Sequence, residues 1–352
     1  MARVFVCRDH VLDETLDQLA DALVASGLEV TRGPATTPGV RLEYKPADYP
    51  GLFGEADVAM FSSRSLAPAP LLEFATRLRG VVYPTIGVET LDLDAAARLG
   101  LIVGHGAVPE NYIGMAEATV MLMLNLRLQL KASEEVLRGQ RPRPRPVAAA
   151  QHARMMRGSV IGLVGYGRIA RAVVERLRPF GVTMLAYSPS TPTSHFASDV
   201  QPVSLEHLLT NSDIVGLFAS AKPTSVRLID ERALGLMKCD AYLVNVARGE
   251  LVDEAALAGT LRDKRIAGAA LDVFQREPLP EDSPLRTLDN IILTPHMVGH
   301  TREVYEHFVP AALENIRRIL RGDLPLYCKN LEVEPRWRQR LVSLEASRGA
   351  SE

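Results

Sequence analysis

Residues 159–170, with the sequence SVIGLVGYGRIA, contain the pattern that decides the fold. The apolar run before Gly165 is typical of a buried strand, and a helical pattern over 169–177 follows it directly. Gly165 permits a tight turn, Gly167 lets a phosphate group approach the backbone, and Ala170 lets the helix pack closely on the strand. Backbone N–H groups at the start of such a helix bind phosphates. The segment therefore predicts a turn that binds a dinucleotide.

The next strand pattern, VTMLAYS at 182–188, bears on which dinucleotide is bound. In an NAD site an Asp or Glu at the end of this strand accepts hydrogen bonds from the ribose hydroxyls. Ser188 stands there instead, which removes the carboxylate that would repel a 2′-phosphate. No Arg or Lys follows directly to attract a phosphate. The sequence favours NAD and leaves NADP open.

Strand and helix patterns alternate on both sides of the glycine turn. Before it, strand patterns occur at 2–7, near Val30, and at 56–63, 79–85 and 100–104, with helical patterns over 12–24, 69–78 and 91–99. After it, strand patterns occur at 182–188, 213–219, 241–247, 268–274 and 290–295. Alternation of this kind predicts an α/β fold with parallel sheets that are covered on both faces.

The last strong helical pattern, over 301–321, is long enough to return to the first domain. That domain would then be discontinuous in sequence, formed by 1–105 plus 300–330. We expect the dinucleotide domain to occupy 106–299. The charged residues of 331–352 predict a loosely held tail.

A single helical pattern runs from 111 to 137 and ends in RGQRPRPRPVAAA, at 138–150. Each proline in this segment prevents the helix from continuing. We interpret the Arg-Pro pairs as a solvated, extended loop. A basic docking segment is the alternative.

Composition excludes several classes of protein. The chain has 352 residues, about the length of two domains, and is 47% hydrophobic and 23% charged. Its 40 Lys and Arg against 42 Asp and Glu give a formal net charge of −2, which argues against nucleic-acid and membrane partners. The longest apolar stretch, 115–126, contains Glu117 and is too short to span a bilayer. We also expect no secretory signal. Three scattered cysteines argue against a disulfide framework or a metal site and favour the cytoplasm.

Three segments that follow later strand patterns carry side chains suited to chemistry. Arg248, in VNVARGELVD, has a planar fork that fits a carboxylate, although bonds to carbonyl groups at a strand end are an equal alternative. Glu277 lies in LDVFQREPLP and His296 in TPHMVGH. A lone His after a strand is more often structural than catalytic, and a lone Glu before Pro is more often a solvated loop residue. Together, a carboxylate that accepts from one imidazole nitrogen leaves the other nitrogen to exchange a proton.

With these segments, the sequence resembles the D-isomer-specific 2-hydroxyacid dehydrogenase family. The resemblance covers about 50–330 and is carried, in this order, by GLVGYGRIA, LVNVARGELVDEAAL, LDVFQREPLPEDSPL and TPHMVGHT. It implies two doubly wound parallel-sheet domains, a flavodoxin-like substrate domain and a Rossmann cofactor domain, with a cleft between them. It also implies an oxidoreductase that transfers a hydride between NAD(P)H and a small 2-keto or 2-hydroxy acid, as a homodimer.

The resemblance also implies roles for individual residues. Arg248 corresponds to the arginine that binds the substrate carboxylate, Glu277 to the glutamate that orients the histidine, and His296 to the general acid and base. A loop whose backbone N–H groups clasp the carboxylate corresponds to Thr85, Ile86 and Gly87. Besides Gly165, Gly167 and Ser188, the implied cofactor contacts are Arg168, Ile169, Ala219, Val246, Ala247 and Asp272.

Some residues depart from the family's pattern and leave alternatives open. Phe218 and Ser220 replace the His and Pro that are common beside the cofactor, and Glu89 stands where many relatives have Asp. The segment around His105, GHGAVP, differs from the common Asn-x-Pro pattern beside the nicotinamide. A relative that oxidises a phosphonate or phosphite is one alternative. The other is an NAD(H)-sensing binding protein, as in the C-terminal-binding-protein corepressors.

Overall fold

Two parallel sheets organise the residues that the computed structural model describes, which are 1–142, 153–221 and 224–349. Most of the predicted Arg-Pro loop lies outside these described residues. The chain divides into two units, one formed by Met1–Glu110 with Thr301–Glu352 and the other by Asn111–His300.

The first unit is built on a five-stranded sheet in which every strand pair is parallel. Its strands are β1 (Arg3–Val6), β2 (Glu29–Arg32), β3 (Val58–Met60), β4 (Gly80–Val82) and β5 (Ile102–Gly104). The helices between them are α1 (Asp13–Ala25), α2 (Tyr49–Phe53), α3 (Ala69–Phe74) and α4 (Leu93–Arg98). The strand order β2-β1-β3-β4-β5 is that of flavodoxin-like folds, as the resemblance implied.

Apolar residues at helical spacing explain why α1 forms and how it packs. Leu16, Leu19 and Leu23 are almost completely buried against the first sheet's core. Val24, which the sequence pattern also includes, lies on the other face and is 58% exposed. The helix therefore buries one apolar stripe, as an amphipathic surface helix does.

The second unit begins with two helices where the sequence predicted one. These are α5 (Pro109–Leu128) and α6 (Leu130–Leu137). Gln129, between them, has a left-handed backbone with φ of 55°, which ends α5, and the Asn125 side chain accepts a hydrogen bond from the Lys131 N–H. The prediction of one continuous helix is wrong at this residue, because neither glycine nor proline marks the break.

The second sheet has seven strands, again with every pair parallel. They are β6 (Val160–Val164), β7 (Thr183–Tyr187), β8 (Val200–Pro202), β9 (Ile214–Leu217), β10 (Tyr242–Asn245), β11 (Gly268–Leu271) and β12 (Ile291–Leu293). The helices are α7 (Arg168–Leu177), α8 (Leu205–Asn211), α9 (Glu231–Leu236) and α10 (Glu254–Arg262). The order β12-β11-β10-β9-β6-β7-β8 is the doubly wound Rossmann order with one further strand. The predicted α/β fold class, with two doubly wound parallel sheets, is confirmed.

The chain returns to the first unit through α11 (Arg302–Arg321) and α12 (Glu334–Gly349). Phe308, Ile316 and Ile319 of α11 are buried in the core of the first sheet. Among the described helices, none combines the length and apolarity that a membrane span needs.

The segment after residue 330 differs from the loosely held tail that we expected. Trp337 of α12 is fully buried, and its indole N–H donates to the Arg79 carbonyl at 2.6 Å. Arg340 donates to the carbonyl groups of Leu78 and Leu99, at 2.7 and 3.1 Å. The charged composition suggested a solvated tail, but these arginine side chains bind main-chain carbonyl groups and thereby fasten the helix.

Candidate active site

The predicted site residues of the second unit gather at one edge of its sheet. Because all seven strands are parallel, the residues that follow them meet at the carboxyl edge. Gly165 follows β6, Ser188 follows β7, Ala219 lies just beyond β9, Val246 follows β10, and Asp272 follows β11. The connections leave β6 and β9 in opposite directions, so the topological switch point, where such sheets bind ligands, lies between these two strands.

The glycine turn is shaped for close backbone contact. Gly165 has φ of 93°, and a Cβ there would come within 2.6 Å of the Ala219 nitrogen, so only glycine fits. A Cβ at Gly167 would meet nothing within 4 Å, and no side chain in the described residues caps the first turn of α7. Arg168 and Ile169 are the first residues of that helix, and Ala170, the third, is fully buried. The uncapped N–H groups and the open space beside Gly167 fit a pyrophosphate.

Hydroxyl groups lie at the end of β7, where an NAD site has the carboxylate that binds the ribose. The Gly165 N–H donates to the Tyr187 carbonyl at 2.8 Å, which places Ser188 beside the glycine turn. The Ser188 Oγ and Thr191 Oγ1 atoms are 2.9 Å apart. This pair can bond a ribose hydroxyl and carries no charge that would repel a 2′-phosphate. The arrangement is compatible with both NAD and NADP.

The segment that contains Arg248 is held by a buried asparagine. Asn245 is 1% exposed, accepts from the Ala247 N–H at 3.1 Å and donates to the Arg248 carbonyl at 2.9 Å. The Arg248 Nη1 donates to the Ala247 carbonyl at 2.6 Å, so the guanidinium does bond a strand-end carbonyl. A Cβ at Gly249 would lie 1.9 Å from the Phe274 carbonyl carbon, and therefore this turn rests directly on the segment after β11. Val246 and Ala247 are buried.

Glu277 and His296 form the hydrogen-bonded pair that the sequence predicted. The His296 Nδ1 and Glu277 Oε2 atoms are 2.8 Å apart, and Glu277 Oε1 accepts from the Phe274 N–H at 3.0 Å. An ionised carboxylate can only accept, so Nδ1 carries the proton and Nε2 is the nitrogen left for exchange.

The charges around Glu277 keep its carboxylate ionised. Burial raises the pKa of Glu277, but the hydrogen bond and charge of His296, the Phe274 N–H and the charge of Arg248 together outweigh burial and hold that pKa below its ordinary value. The neighbouring Glu254 shows the opposite direction, because burial and the charge of Glu277 raise its pKa. Arg248 and His296 thus both act electrostatically on the Glu277 carboxylate.

Asp272 anchors the loop that presents His296. Its carboxylate is buried, and its Oδ1 accepts from the Thr294 hydroxyl at 2.7 Å and from the N–H groups of Met297 and Val298 at 3.0 and 3.2 Å. His296 itself has φ of 57°, an unfavourable value for a non-glycine residue, which these bonds on both sides maintain. The sequence assigned Asp272 to the cofactor and missed this anchoring. The available signal was a carboxylate directly after a buried strand.

The remaining predicted contacts belong to the first unit. Thr85, Ile86 and Gly87 follow β4 and its buried extension, are half-buried, and include a hydrogen bond from the Thr85 hydroxyl to the Gly87 carbonyl at 3.3 Å. The structure therefore brings Arg248, Glu277 and His296 together in the second unit, with the 85–87 loop in the first.

About half of the chain matches the model of a known protein family. Residues 120–298 match the family model described as D-isomer specific 2-hydroxyacid dehydrogenase, NAD binding domain. The chain belongs to this family. Its NAD-binding domain contains the glycine turn, the switch point and the Arg248, Glu277 and His296 cluster, and NAD(P) is its cofactor.

Several named proteins are similar to this family member over most of its length. A glyoxylate reductase of Thermofilum pendens is 34% identical over 75% of this chain and 78% of its own. A D-3-phosphoglycerate dehydrogenase of Methanocaldococcus jannaschii is 34% identical over 77% of this chain, which spans only about half of that relative, 51%. A solved structure of a Thermus thermophilus protein has a TM-score of 0.77 at 29% identity and covers 93% of this chain and 99% of its own.

Proposed function

We propose that this chain reduces a small 2-keto acid to the 2-hydroxy acid with NADH or NADPH, and catalyses the reverse oxidation. The observation that carries the proposal is the Glu277–His296 pair, whose hydrogen-bonding atoms are 2.8 Å apart and whose carboxylate also has its pKa lowered by the charge of Arg248. It lies at the same sheet edge as a glycine turn suited to a dinucleotide pyrophosphate. An acid–base pair and a fixed cation at this edge fit the reduction of a carboxylated ketone.

The residues of the second unit fit the dinucleotide at both of its ends. The turn at Gly165 and Gly167 and the first N–H groups of α7 would hold the pyrophosphate, and Ser188 would face the ribose. Further proposed contacts are Arg168, Ile169, Ala219, Val246, Ala247 and Asp272. Hydride is the chemistry that the nicotinamide supplies when it is bound.

His296 has the geometry of a proton donor. With Nδ1 held by Glu277, Nε2 is the atom that gives its proton to the carbonyl oxygen as that oxygen gains negative charge. The charge of Glu277 stabilises the protonated imidazole before transfer. In the reduction, one hydride joins the carbonyl carbon, one proton from His296 joins the oxygen, and the imidazole is left neutral.

Arg248 is the proposed partner of the substrate carboxylate. Its position is set by Asn245 and by the close contact of Gly249 with the Phe274 backbone. A planar guanidinium binds a carboxylate through parallel hydrogen bonds, and its charge also stabilises negative charge on the reacting oxygen. The backbone N–H groups of the 85–87 loop are the second proposed partner of the carboxylate.

Initial rates of NADH and NADPH oxidation test this proposal. The substrates are glyoxylate, pyruvate, hydroxypyruvate, 2-ketobutyrate, phenylpyruvate and a phosphonate analogue. We expect turnover with at least one 2-keto acid, and the ranking reports the side chain that the site accepts. Protein that binds nucleotide and turns over none of them contradicts the proposal and favours nucleotide sensing.

We also propose that the protein is a cytoplasmic homodimer. Apolar side chains along α5 and α6 are exposed to solvent in a single chain, namely Met121, Leu128, Leu130 and Leu137. A second copy would cover such a surface. The cysteines Cys7, Cys239 and Cys328 are free thiols, as in a reducing compartment. Light scattering that reports the mass of one chain would contradict the dimer.

A further inference from the structure

A histidine of the first unit binds the loop that we propose as a carboxylate partner. His105 directly follows β5 and is 8% exposed. Its Nδ1 lies 3.0 Å from the carbonyl oxygen of Ile86. A carbonyl oxygen can only accept, so Nδ1 is the donor and carries the proton. The ring therefore fixes the direction of the peptide group between Ile86 and Gly87.

The neighbouring peptide group is fixed from the same side. The Gly106 N–H donates to the Thr85 carbonyl at 2.8 Å. A Cβ at Gly106 would lie 1.7 Å from the Pro84 carbonyl oxygen, which shows how closely the segments 105–106 and 84–86 pack. Two successive carbonyl groups, those of Thr85 and Ile86, therefore face residues 105 and 106.

This arrangement determines where the loop's donors point. Neither peptide bond is cis, and in a trans peptide the C=O and N–H bonds point in opposite directions. The N–H groups of Ile86 and Gly87 consequently turn away from residues 105 and 106. Within the described part of the chain, neither N–H donates to another group. Successive backbone N–H groups directed to the same side form a concavity that binds anions.

The backbone of His105 is itself rigidly held. Its N–H donates to the Tyr327 carbonyl at 3.0 Å, and its carbonyl accepts from the Asn315 Nδ2 at 3.3 Å. Asn315 is fully buried on α11 and also accepts from the Leu326 N–H at 2.8 Å. Since the backbone N–H and carbonyl groups of His105 are both hydrogen-bonded, its imidazole is a rigid support for the loop.

We propose that His105 is a positioning residue that directs the Gly87 N–H, through the Ile86 carbonyl, toward the substrate carboxylate. This inference rests on the proposed function. It assigns to His105 an effect on binding of the carboxylate and no part in proton transfer.

The matched variants are His105→Asn and His105→Leu. Asn places its Nδ2 donor the same number of bonds from Cα as the histidine Nδ1, whereas Leu has the same branched shape as Asn and cannot donate. Three quantities are measured: KM and kcat for the best 2-keto acid, the dissociation constant of NADH, and calorimetric binding of oxamate, an unreactive carboxylate analogue, to the protein with NADH. Thermal unfolding reports whether each variant folds.

We expect His105→Leu to raise KM and the oxamate dissociation constant about tenfold, the range of one hydrogen bond to a charged group, with kcat and NADH binding unchanged. His105→Asn should retain the wild-type KM and oxamate dissociation constant. Unchanged oxamate binding in His105→Leu, or equal losses in both variants, overturns the positioning role. If the wild-type protein neither turns over a 2-keto acid nor binds oxamate, the proposed function fails instead.

Discussion

Replacing Glu277 with Gln removes one negative charge and keeps the shape of the side chain. The amide can still accept the hydrogen bond that His296 Nδ1 donates to Oε2 at 2.8 Å. With its oxygen on His296, the amide turns its NH2 group toward the Phe274 N–H, so the substitution removes the charge from the pair and also the hydrogen bond that Oε1 accepts from Phe274. We expect slower reduction of the 2-keto acid, because the protonated imidazole loses its stabilising charge before proton transfer.

The size of the effect follows from the separation and the exposure of the two groups. Unit charges about 4 Å apart attract by about 1 kcal/mol in water and about 4 kcal/mol at an effective dielectric constant of about 20. The His296 side chain is 47% exposed and that of Glu277 is 31% exposed, so water screens the pair substantially. We expect a loss of about 1.4 kcal/mol, which corresponds to about tenfold in kcat/KM.

Initial rates, followed by the absorbance of NADH or NADPH, measure this loss. Glu254→Gln is the matched control, because Glu254 is a neighbouring carboxylate whose pKa the charge of Glu277 raises, and its Oε1 accepts from the Gln275 N–H, outside the histidine pair. The control should stay within about twofold of the wild type. A Glu277→Gln variant that also stays within this range would refute the role of the carboxylate.

The Glu277→Gln variant also tests how the free energy of unfolding depends on pH. The folded state lowers the pKa of Glu277 from its ordinary value of 4.5, so the charged form stabilises the fold above that pH and the contribution is lost as pH falls through the lowered pKa. The difference in free energy of unfolding between wild type and Glu277→Gln should be present at neutral pH and shrink in acid. Urea unfolding measures both values, and a difference that grows in acid contradicts the sign.

Substitutions at three further residues test the other proposed roles. His296→Ala should lower kcat by about a hundredfold or more, with NADH binding, measured by fluorescence, unchanged. Near-normal turnover would show that His296 does not transfer the proton. Arg248→Ala should raise KM for the keto acid more than about tenfold, and Arg248→Lys, which keeps the charge without the planar fork, should raise it less. An unchanged KM in Arg248→Ala contradicts carboxylate binding. Ser188→Asp should raise the ratio of kcat/KM for NADH over NADPH, because a carboxylate repels the 2′-phosphate. An unchanged ratio would show that Ser188 does not face the ribose.

Local patterns were sufficient for every described strand of the two sheets except β8, and for the order of the site segments. The glycine turn at Gly165, the buried face of α1 and the parallel alternation are each visible within a few turns of chain. The strand β8 was missed because only Val200 is buried, while Gln201 and Pro202 are exposed and produce no apolar run. The break at Gln129 was missed because a left-handed glutamine has no distinct signature.

The sequence by itself determined the fold class and the dinucleotide turn, and it predicted that Arg248, Glu277 and His296 act together, because these inferences depend on hydrophobic periodicity and on motifs in short segments. Only the tertiary structure decided how the site segments are held. The Asp272 carboxylate binds the loop that contains His296, and the His105 ring binds the Ile86 carbonyl. The tertiary structure also decided that Trp337 is buried. These contacts join residues that are distant in sequence, and their partners are chiefly backbone groups, which every residue has. A side chain's type can therefore indicate that it needs a hydrogen-bond partner, but only the packed chain determines which group that partner is.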